Sequence, residues 1–408
     1  MKPNKTDYPQ NVLLIIPHLV CGGTEVQTLN LAKTLIATNY NVTIICIYSF
    51  LPIVVKEFID NGATVICLSP EYCNPEIKVR YFRPIQLLFF LRQKINPIIN
   101  KNRFDIVHVQ YTAPGAIPII YAYLAGFKKI LATVHQPYTL THGWHAKLYL
   151  RLSAFISTYF IAVSINTEIS WFGKGRLYDE YIPLKMIPHH FTIYNSVDVH
   201  QIQSIQQKLI IQKEKDILGI KPGQIVIGVV SRLRLEKGID LLIDAFNSII
   251  KKCPNIHLLI VGSGPDESIL KSKVKELNLC NNVTFYGQAF WHTAMQQLAI
   301  MDIVVVPSRF EGFGLTAAEA MAMSKPIVAT DVFGLSEVVT DKETGLLFPK
   351  ENVAELANCL LQLCNDPNLR HQFGCNGKIK VEKLFDISIY RKKTIHFYDQ
   401  LTFPNPKS

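Results

Sequence analysis

Charge is scarce in this sequence. Asp, Glu, Lys and Arg supply 18% of its 408 residues while hydrophobic types supply 49%, and that balance excludes a disordered or fibrous chain because apolar material is ample for a large core. Long apolar runs are also missing. The longest, such as residues 113–127, is about 15 residues, contains Pro114 and Pro118 and falls short of the ~18 that a spanning helix needs. Residues 1–10 lack the apolar centre of a secretory signal, so the expected location is the cytoplasm. No C-x-x-C pair occurs among the nine cysteines, and Cys46 and Cys67 lie inside apolar runs, which favours reduced core thiols over disulfides or zinc. His142, His145, His189 and His190 lack carboxylates at ligand spacing, so neither a metal nor a cofactor is expected.

Acidic residues are fewest in the first half. Residues 1–196 carry 18 basic and 10 acidic side chains, against 24 and 22 in 197–408, so the first half holds +8 of the net +10. A basic half suggests an anionic partner: nucleic acid, an acidic membrane surface or a phosphorylated substrate. No nucleic-acid-binding module is recognisable, which disfavours the first.

At ~150 residues per domain, the length suggests two or three domains. Apolar runs at 12–16, 42–48, 64–68, 105–110, 130–134 and 159–163 alternate with helical periodicity, including the amphipathic stretch 84–99, and describe a parallel α/β sheet covered on both faces. The pattern stops near Tyr194-Asn-Ser-Val-Asp198, and 200–223 reads as a connection with a polar helix. A second series of strands follows at 225–230, 257–261, 283–286, 302–306 and 327–329, the last closing the set, and 353–401 is largely helical. The expected fold is therefore two Rossmann-like, doubly wound parallel-sheet domains facing a cleft. Their bounds are 1–198 and 199–385, with 386–408 a helix; ligands of such sheets bind at the carboxyl ends of the strands.

Several residues at those ends carry chemistry. Gly22 and Gly23, between the first strand and helix, can present backbone amides to an anion, although a structural turn reads as well and the sequence is not G-x-G-x-x-G. Arg232 and Lys237 follow the first strand of the second series, and two cations there suit a diphosphate. Gly262 and Gly264 repeat the strand-end turn. In Pro307-Ser-Arg-Phe-Glu-Gly-Phe-Gly-Leu-Thr-Ala-Ala-Glu-Ala-Met321, Glu311 lies on a loop and Glu319 inside a helix; two such carboxylates accept hydrogen bonds from vicinal hydroxyls. A surface position for Glu319 is at odds with its neighbours Ala317, Ala318, Ala320 and Met321.

Together Gly22-Gly23, Arg232 with Lys237-Gly238, Gly262-Ser-Gly264 and Glu311-x7-Glu319 resemble the family-4 retaining glycosyltransferases, which have the two-Rossmann GT-B architecture. The resemblance runs from Val12 to about Thr394 with the motifs in family order. It implies that Gly23 approaches the donor diphosphate, that Arg232 and Lys237 neutralise it, and that Glu319 holds ribose hydroxyls. It also implies that Glu311 lies by the donor sugar, with the loop at Gly312 and amides near Phe313, Gly314 and Leu315 on its hydroxyls. His135, in Thr133-Val-His-Gln-Pro137, matches a family histidine near sugar and acceptor. Two departures stand out: Ser196 replaces a common glycine, and Val26 a common basic residue.

The expected activity is retaining transfer of a sugar from a nucleotide-diphosphate sugar to a saccharide or lipid-linked acceptor, in cell-surface polysaccharide or lipopolysaccharide assembly. A sugar-nucleotide epimerase and a non-catalytic nucleotide-sugar-binding subunit are the alternatives. Arg80, Arg83, Arg92, Lys94, Lys101 and Arg103 surround the helix at 84–99 and suggest peripheral attachment to an anionic membrane surface, on the inner face of the cytoplasmic membrane, unless that helix is an ordinary core element.

Overall fold

A computed structural model describes residues 9–73, 81–111, 116–139 and 143–402. The chain divides into two compact units, one of 1–195 with 389–408 and one of 196–388. The sequence pattern places these boundaries at 198 and 385.

The first unit runs β1 (Gln10–Ile16), α1 (Gly23–Ile36), β2 (Tyr40–Cys46), α2 (Pro52–Asp60), β3 (Thr64–Cys67), α3 (Pro84–Lys101), β4 (Ile106–Tyr111), α4 (Ala116–Leu124), β5 (Ile130–Val134), α5 (Gly143–Ile156), β6 (Tyr159–Ala162), α6 (Ile165–Phe172) and β7 (His190–Thr192). All seven strands are parallel, in the order β3-β2-β1-β4-β5-β6-β7. The strands form because their residues are apolar on both faces, the composition that a sheet covered twice requires. Along β1 the side chains alternate. Val12, Leu14 and Ile16 join one core with Leu31 and Phe58, while Leu13 and Ile15 join a second with Leu87, Leu91, Ile95, Ile119 and Leu150.

The second unit contains α7 (Val199–Lys208), α8 (Ile211–Ile217), β8 (Ile225–Val230), α9 (Ile239–Ile249), β9 (Ile256–Val261), α10 (Glu267–Glu276), β10 (Val283–Gly287), α11 (Trp291–Ala299), β11 (Ile303–Val306), α12 (Leu315–Ala322), β12 (Ile327–Thr330), α13 (Leu335–Val338), β13 (Gly345–Phe348), α14 (Val353–Asn365) and α15 (Pro367–Leu384). Its six parallel strands order as β10-β9-β8-β11-β12-β13. Finally α16 (Ile387–Thr402) places Phe397, Tyr398 and Leu401 in the core of the first unit.

Four expectations need correction. The first series does not end at 163, because β7 adds a seventh strand, and the second is closed by β13 rather than by 327–329. The segment after 198 is not merely a connection: α7 buries Val199, Ile202 and Ile205 within the second unit. The helix at 84–99 needs no such correction: it turns Leu87, Leu91 and Ile95 into the core, as its core alternative expects, and leaves Ile85 and Phe89 exposed. Arg80 lies outside the described residues. Cys46 is a buried thiol and Cys67 a half-buried one on paired strands, whereas Cys73 and Cys280 are exposed rather than in the core.

Candidate active site

In each sheet two strands that are not consecutive in sequence lie side by side, β1 with β4 and β8 with β11. Chain connections leave in opposite directions at such a point and open a crevice at the carboxyl ends of those strands. In the second unit the candidate residues follow β8, β9 and β11, so topology delivers them to one edge of the sheet.

The loop after β8 carries Arg232 and Lys237. Lys237 Nζ donates to Glu311 Oε2 at 2.7 Å, which unites two of the predicted residues from positions 74 apart. The Arg232 guanidinium is exposed and has no ion pair among the described residues. Interlocking backbones fix this loop. Gly238 has φ +66, and a Cβ there would lie 2.0 Å from the Pro307 carbonyl oxygen. A Cβ on Gly262, which has φ +131, would lie 1.9 Å from the Ser231 carbonyl oxygen, and one on Gly264 would press into the Leu233 backbone. These contacts leave no room for a side chain. Arg309 holds the other side, donating from Nη1 and Nη2 to Asp240 at 2.9 and 2.8 Å and from Nε to Glu351 at 2.7 Å.

After β11 the loop passes Glu311, Gly312, Phe313 and Gly314 and enters α12 at Leu315. Ser308 Oγ also donates to Glu311 Oε2, at 3.5 Å. The Phe313 ring is buried edge-on against Phe385, so its backbone faces the loop while its side chain anchors it. Gly314 takes φ +99 at the start of α12, whose first amides, from Leu315 onward, lack intrahelical acceptors and carry the positive end of the helix dipole. Glu319 is buried within α12 and accepts a hydrogen bond from Trp291 Nε1 at 2.8 Å. Burial pushes its pKa up to about 7, and the Trp291 bond offsets part of that rise. Trp291, Arg309 and Asp240 had no signal in the sequence; Trp291 is 28 positions from Glu319, and nothing local links them.

In the first unit Gly22 and Gly23 occupy the turn between β1 and α1. The backbone at Gly22 is extended, and an added Cβ would meet only the mobile end of Glu25. His135 follows β5 and is buried. Its Nε2 stands 2.8 Å from Gln110 Oε1 at the end of β4. An amide oxygen only accepts, so the ring proton sits on Nε2 and Nδ1 is left as an acceptor. Burial lowers the pKa of His135 to about 3, and that of His108 likewise to about 3. His108 bridges Tyr398 of α16, at 2.6 Å, and Thr133 of β5, at 2.7 Å. His135 Nδ1 and Gln110 Nε2 are buried without hydrogen-bond partners among the described residues, and both side chains line a cavity of about 20 Å³, the room of a water molecule, whose walls are largely apolar. A ring held neutral in this way orients and accepts hydrogen bonds; it does not take up a proton near neutral pH. His142 lies outside the described residues.

Known proteins share this plan. The chain matches the family models for Glycosyltransferase Family 4 over residues 21–168 and for Glycosyl transferases group 1 over residues 210–380. A lipopolysaccharide core biosynthesis mannosyltransferase of Rhizobium meliloti is 30% identical over 52% of this chain, which spans 62% of that relative's length. A GDP-mannose-dependent monoacylated α-(1-6)-phosphatidylinositol monomannoside mannosyltransferase of Corynebacterium glutamicum is 30% identical over 70% of this chain and 74% of its own. The Anabaena protein HepE, in complex with UDP and glucose, superposes with a TM-score of 0.76 at 20% identity over 96% of this chain and all of its own. With both family models in order, a relative covered across most of its length and two doubly wound sheets of the GT-B kind, the chain belongs to glycosyltransferase family 4.

Proposed function

We propose that this protein moves a sugar, with retention of anomeric configuration, from a nucleotide-diphosphate sugar to a saccharide or lipid-linked acceptor in cell-surface polysaccharide or lipopolysaccharide assembly. The observation that carries this reading is the Lys237–Glu311 contact, with an exposed Arg232 on the same loop, at the carboxyl edge of the second sheet. The bond from sugar C1 to the diphosphate oxygen breaks, the acceptor oxygen bonds to C1 from the same face, and the acceptor proton leaves with the diphosphate. A diphosphate departs readily once its charge is compensated, and Lys237 and Arg232 supply that compensation. Glu311 is held by Lys237 and stands by the donor sugar, while Glu319 accepts from ribose hydroxyls. Gly22 and Gly23 approach the diphosphate, and His135 Nδ1 faces substrate hydroxyls once side chains around it shift. The reaction needs no metal on this reading, because protein cations do the neutralising.

The relatives support the reaction class and the kind of acceptor. The Corynebacterium enzyme's name pairs a nucleotide sugar with an acylated lipid acceptor, and the Rhizobium enzyme's name points to lipopolysaccharide. One relative is named for GDP-mannose and HepE was crystallised with UDP, so both bases belong in the donor panel.

The test is release of nucleoside diphosphate from such a panel with extracted lipid acceptors, the product anomer being read by NMR. Lys237→Ala and Glu319→Ala should each release it at least tenfold more slowly, and chelator should leave the wild-type rate unchanged. Release at the wild-type rate by either variant would remove that residue from the site. An inverted donor sugar with no acceptor consumed would mark an epimerase, and tight donor binding without turnover a binding subunit.

A further inference from the structure

Helix α5 turns its large apolar residues the wrong way for a core helix. Leu150, Ser153 and Ala154 face the sheet, while Trp144, Leu148, Tyr149, Leu152 and Phe155 stand outward, Trp144 66% and Phe155 86% exposed. Positions 144, 148, 152 and 155 share one helical stripe about 16 Å long at 1.5 Å per residue. A helix of a globular unit normally buries such a stripe, and a contiguous exposed one marks a surface that meets something apolar. On the same face of the sheet α4 packs between α3 and α5 and adds Tyr123 and Leu124, both exposed. No helix among the described residues is long and apolar enough to cross a membrane.

Charge on the same layer identifies the occupant. Residues 81–156 hold nine Lys and Arg and a single acidic residue, Asp105, and no Asp or Glu occurs from 106 to 167. Asp105 is turned toward β1, where it accepts from the Asn11 backbone N–H at 2.9 Å. Arg151 lies exposed on α5 next to Leu152; its Nε donates to the Trp171 carbonyl at 3.2 Å, and no carboxylate pairs with it among the described residues. Lys147 sits 4.9 Å from the Tyr138 ring, also on this side. A second copy of the chain would bring one such cationic layer against another. An anionic bilayer supplies both an apolar layer and the opposite charge, the two signals that peripheral attachment needs.

We propose that the α3–α5 layer docks on an anionic phospholipid surface, with α5 as the element that inserts its Trp144–Phe155 stripe at the level of the headgroups. This rests on the lipid-linked acceptor proposed above and names the surface that brings the enzyme to it.

The full chain, without donor, is floated with vesicles of phosphatidylcholine alone or mixed with phosphatidylglycerol. Wild type should float with the anionic vesicles only and be released by salt. The triple variant Trp144→Ser, Leu148→Ser, Phe155→Ser should bind at least tenfold more weakly, and Lys147→Gln with Arg151→Gln about thirtyfold more weakly. Ile269→Ser, at an exposed position of α10 in the second unit, should change binding less than twofold. Melting temperatures of all variants should stay within a few degrees of wild type, since the side chains point outward. Flotation of the α5 variants equal to wild type would overturn the proposal. So would a wild-type dimer in sedimentation that Phe155→Ser converts to monomer, which would make α5 a self-association face. Diphosphate release with a detergent-dispersed acceptor is measured separately. Variants that lose flotation but keep release support the docking surface. A wild type that floats in this way but never releases diphosphate keeps the surface and sinks the transferase reading.

Discussion

Glu319 sits where a carboxylate is costly: it is buried in α12, with the Trp291 indole N–H donating to it. Its raised pKa, about 7 against 4.5 for the free group, means that the folded chain binds this proton more tightly than the unfolded chain. Its contribution to stability therefore falls as pH rises from about 4.5 to 7. Glu319→Gln keeps an acceptor for Trp291 and removes the charge, so the variant should melt at higher temperature than wild type at pH 8 and near it at pH 5. The same change should weaken UDP or GDP binding about tenfold or more, because hydroxyls lose a charged acceptor. Scanning fluorimetry and titration calorimetry read the two effects; undiminished nucleotide affinity would place Glu319 outside the site. The sequence made Glu319 conspicuous, since an acid among Ala317, Ala318, Ala320 and Met321 is out of place on a surface. It was silent on Trp291 and on Gln110, because both meet their partners only after strands and helices distant in sequence are brought together.

Elements that form from continuous apolar strands, such as β1 and β8, were legible because both faces of each are covered. The short strands β7, His-Phe-Thr, and β13, which opens on Gly345, were not, since three or four residues carry too little pattern. Helix α5 was hidden for another reason: apolar residues surround it, and only the order of the sheet decides which side is covered. Loop geometry was half legible. The glycines near the strand ends stand out in the sequence, but their purpose is steric and reciprocal, with Gly238 against Pro307 and Gly262 against Ser231. Gly238→Ala forces a side chain into a carbonyl 2.0 Å away at φ +66. It should cost the second unit about 3 kcal/mol or more and shift Lys237 away from Glu311. Chemical denaturation would read the loss; unchanged stability would show that the loop can move aside freely.

At the scale of the molecule, the buried histidines of the first unit and Glu319 of the second respond to acid in opposite senses, and His257, buried in the second unit with its pKa also lowered, opposes Glu319 there. His108 and His135 are held neutral in the first unit with pKa values near 3, against 6.5 unfolded, so their contribution to stability is lost as pH falls below about 6.5, by at most about 1.4 kcal/mol per pH unit for each. Glu319 acts the other way in the second unit. Scanning calorimetry between pH 7 and 5 should show the first unit's midpoint falling relative to the second's, and Glu319→Gln should alter only the second unit's trend. Parallel shifts of both transitions would contradict these burials. The return of α16 has a different consequence, for the order of events at the ribosome. Phe397, Tyr398 and Leu401 complete a core whose other members were made before residue 195. Between them lies the whole of 196–388, about 10–40 s of synthesis at 5–20 residues per second. The unit begun first is thus finished last, and during that interval an uncovered apolar face awaits the final helix, which makes chaperone dependence and sensitivity to C-terminal truncation properties of the first unit.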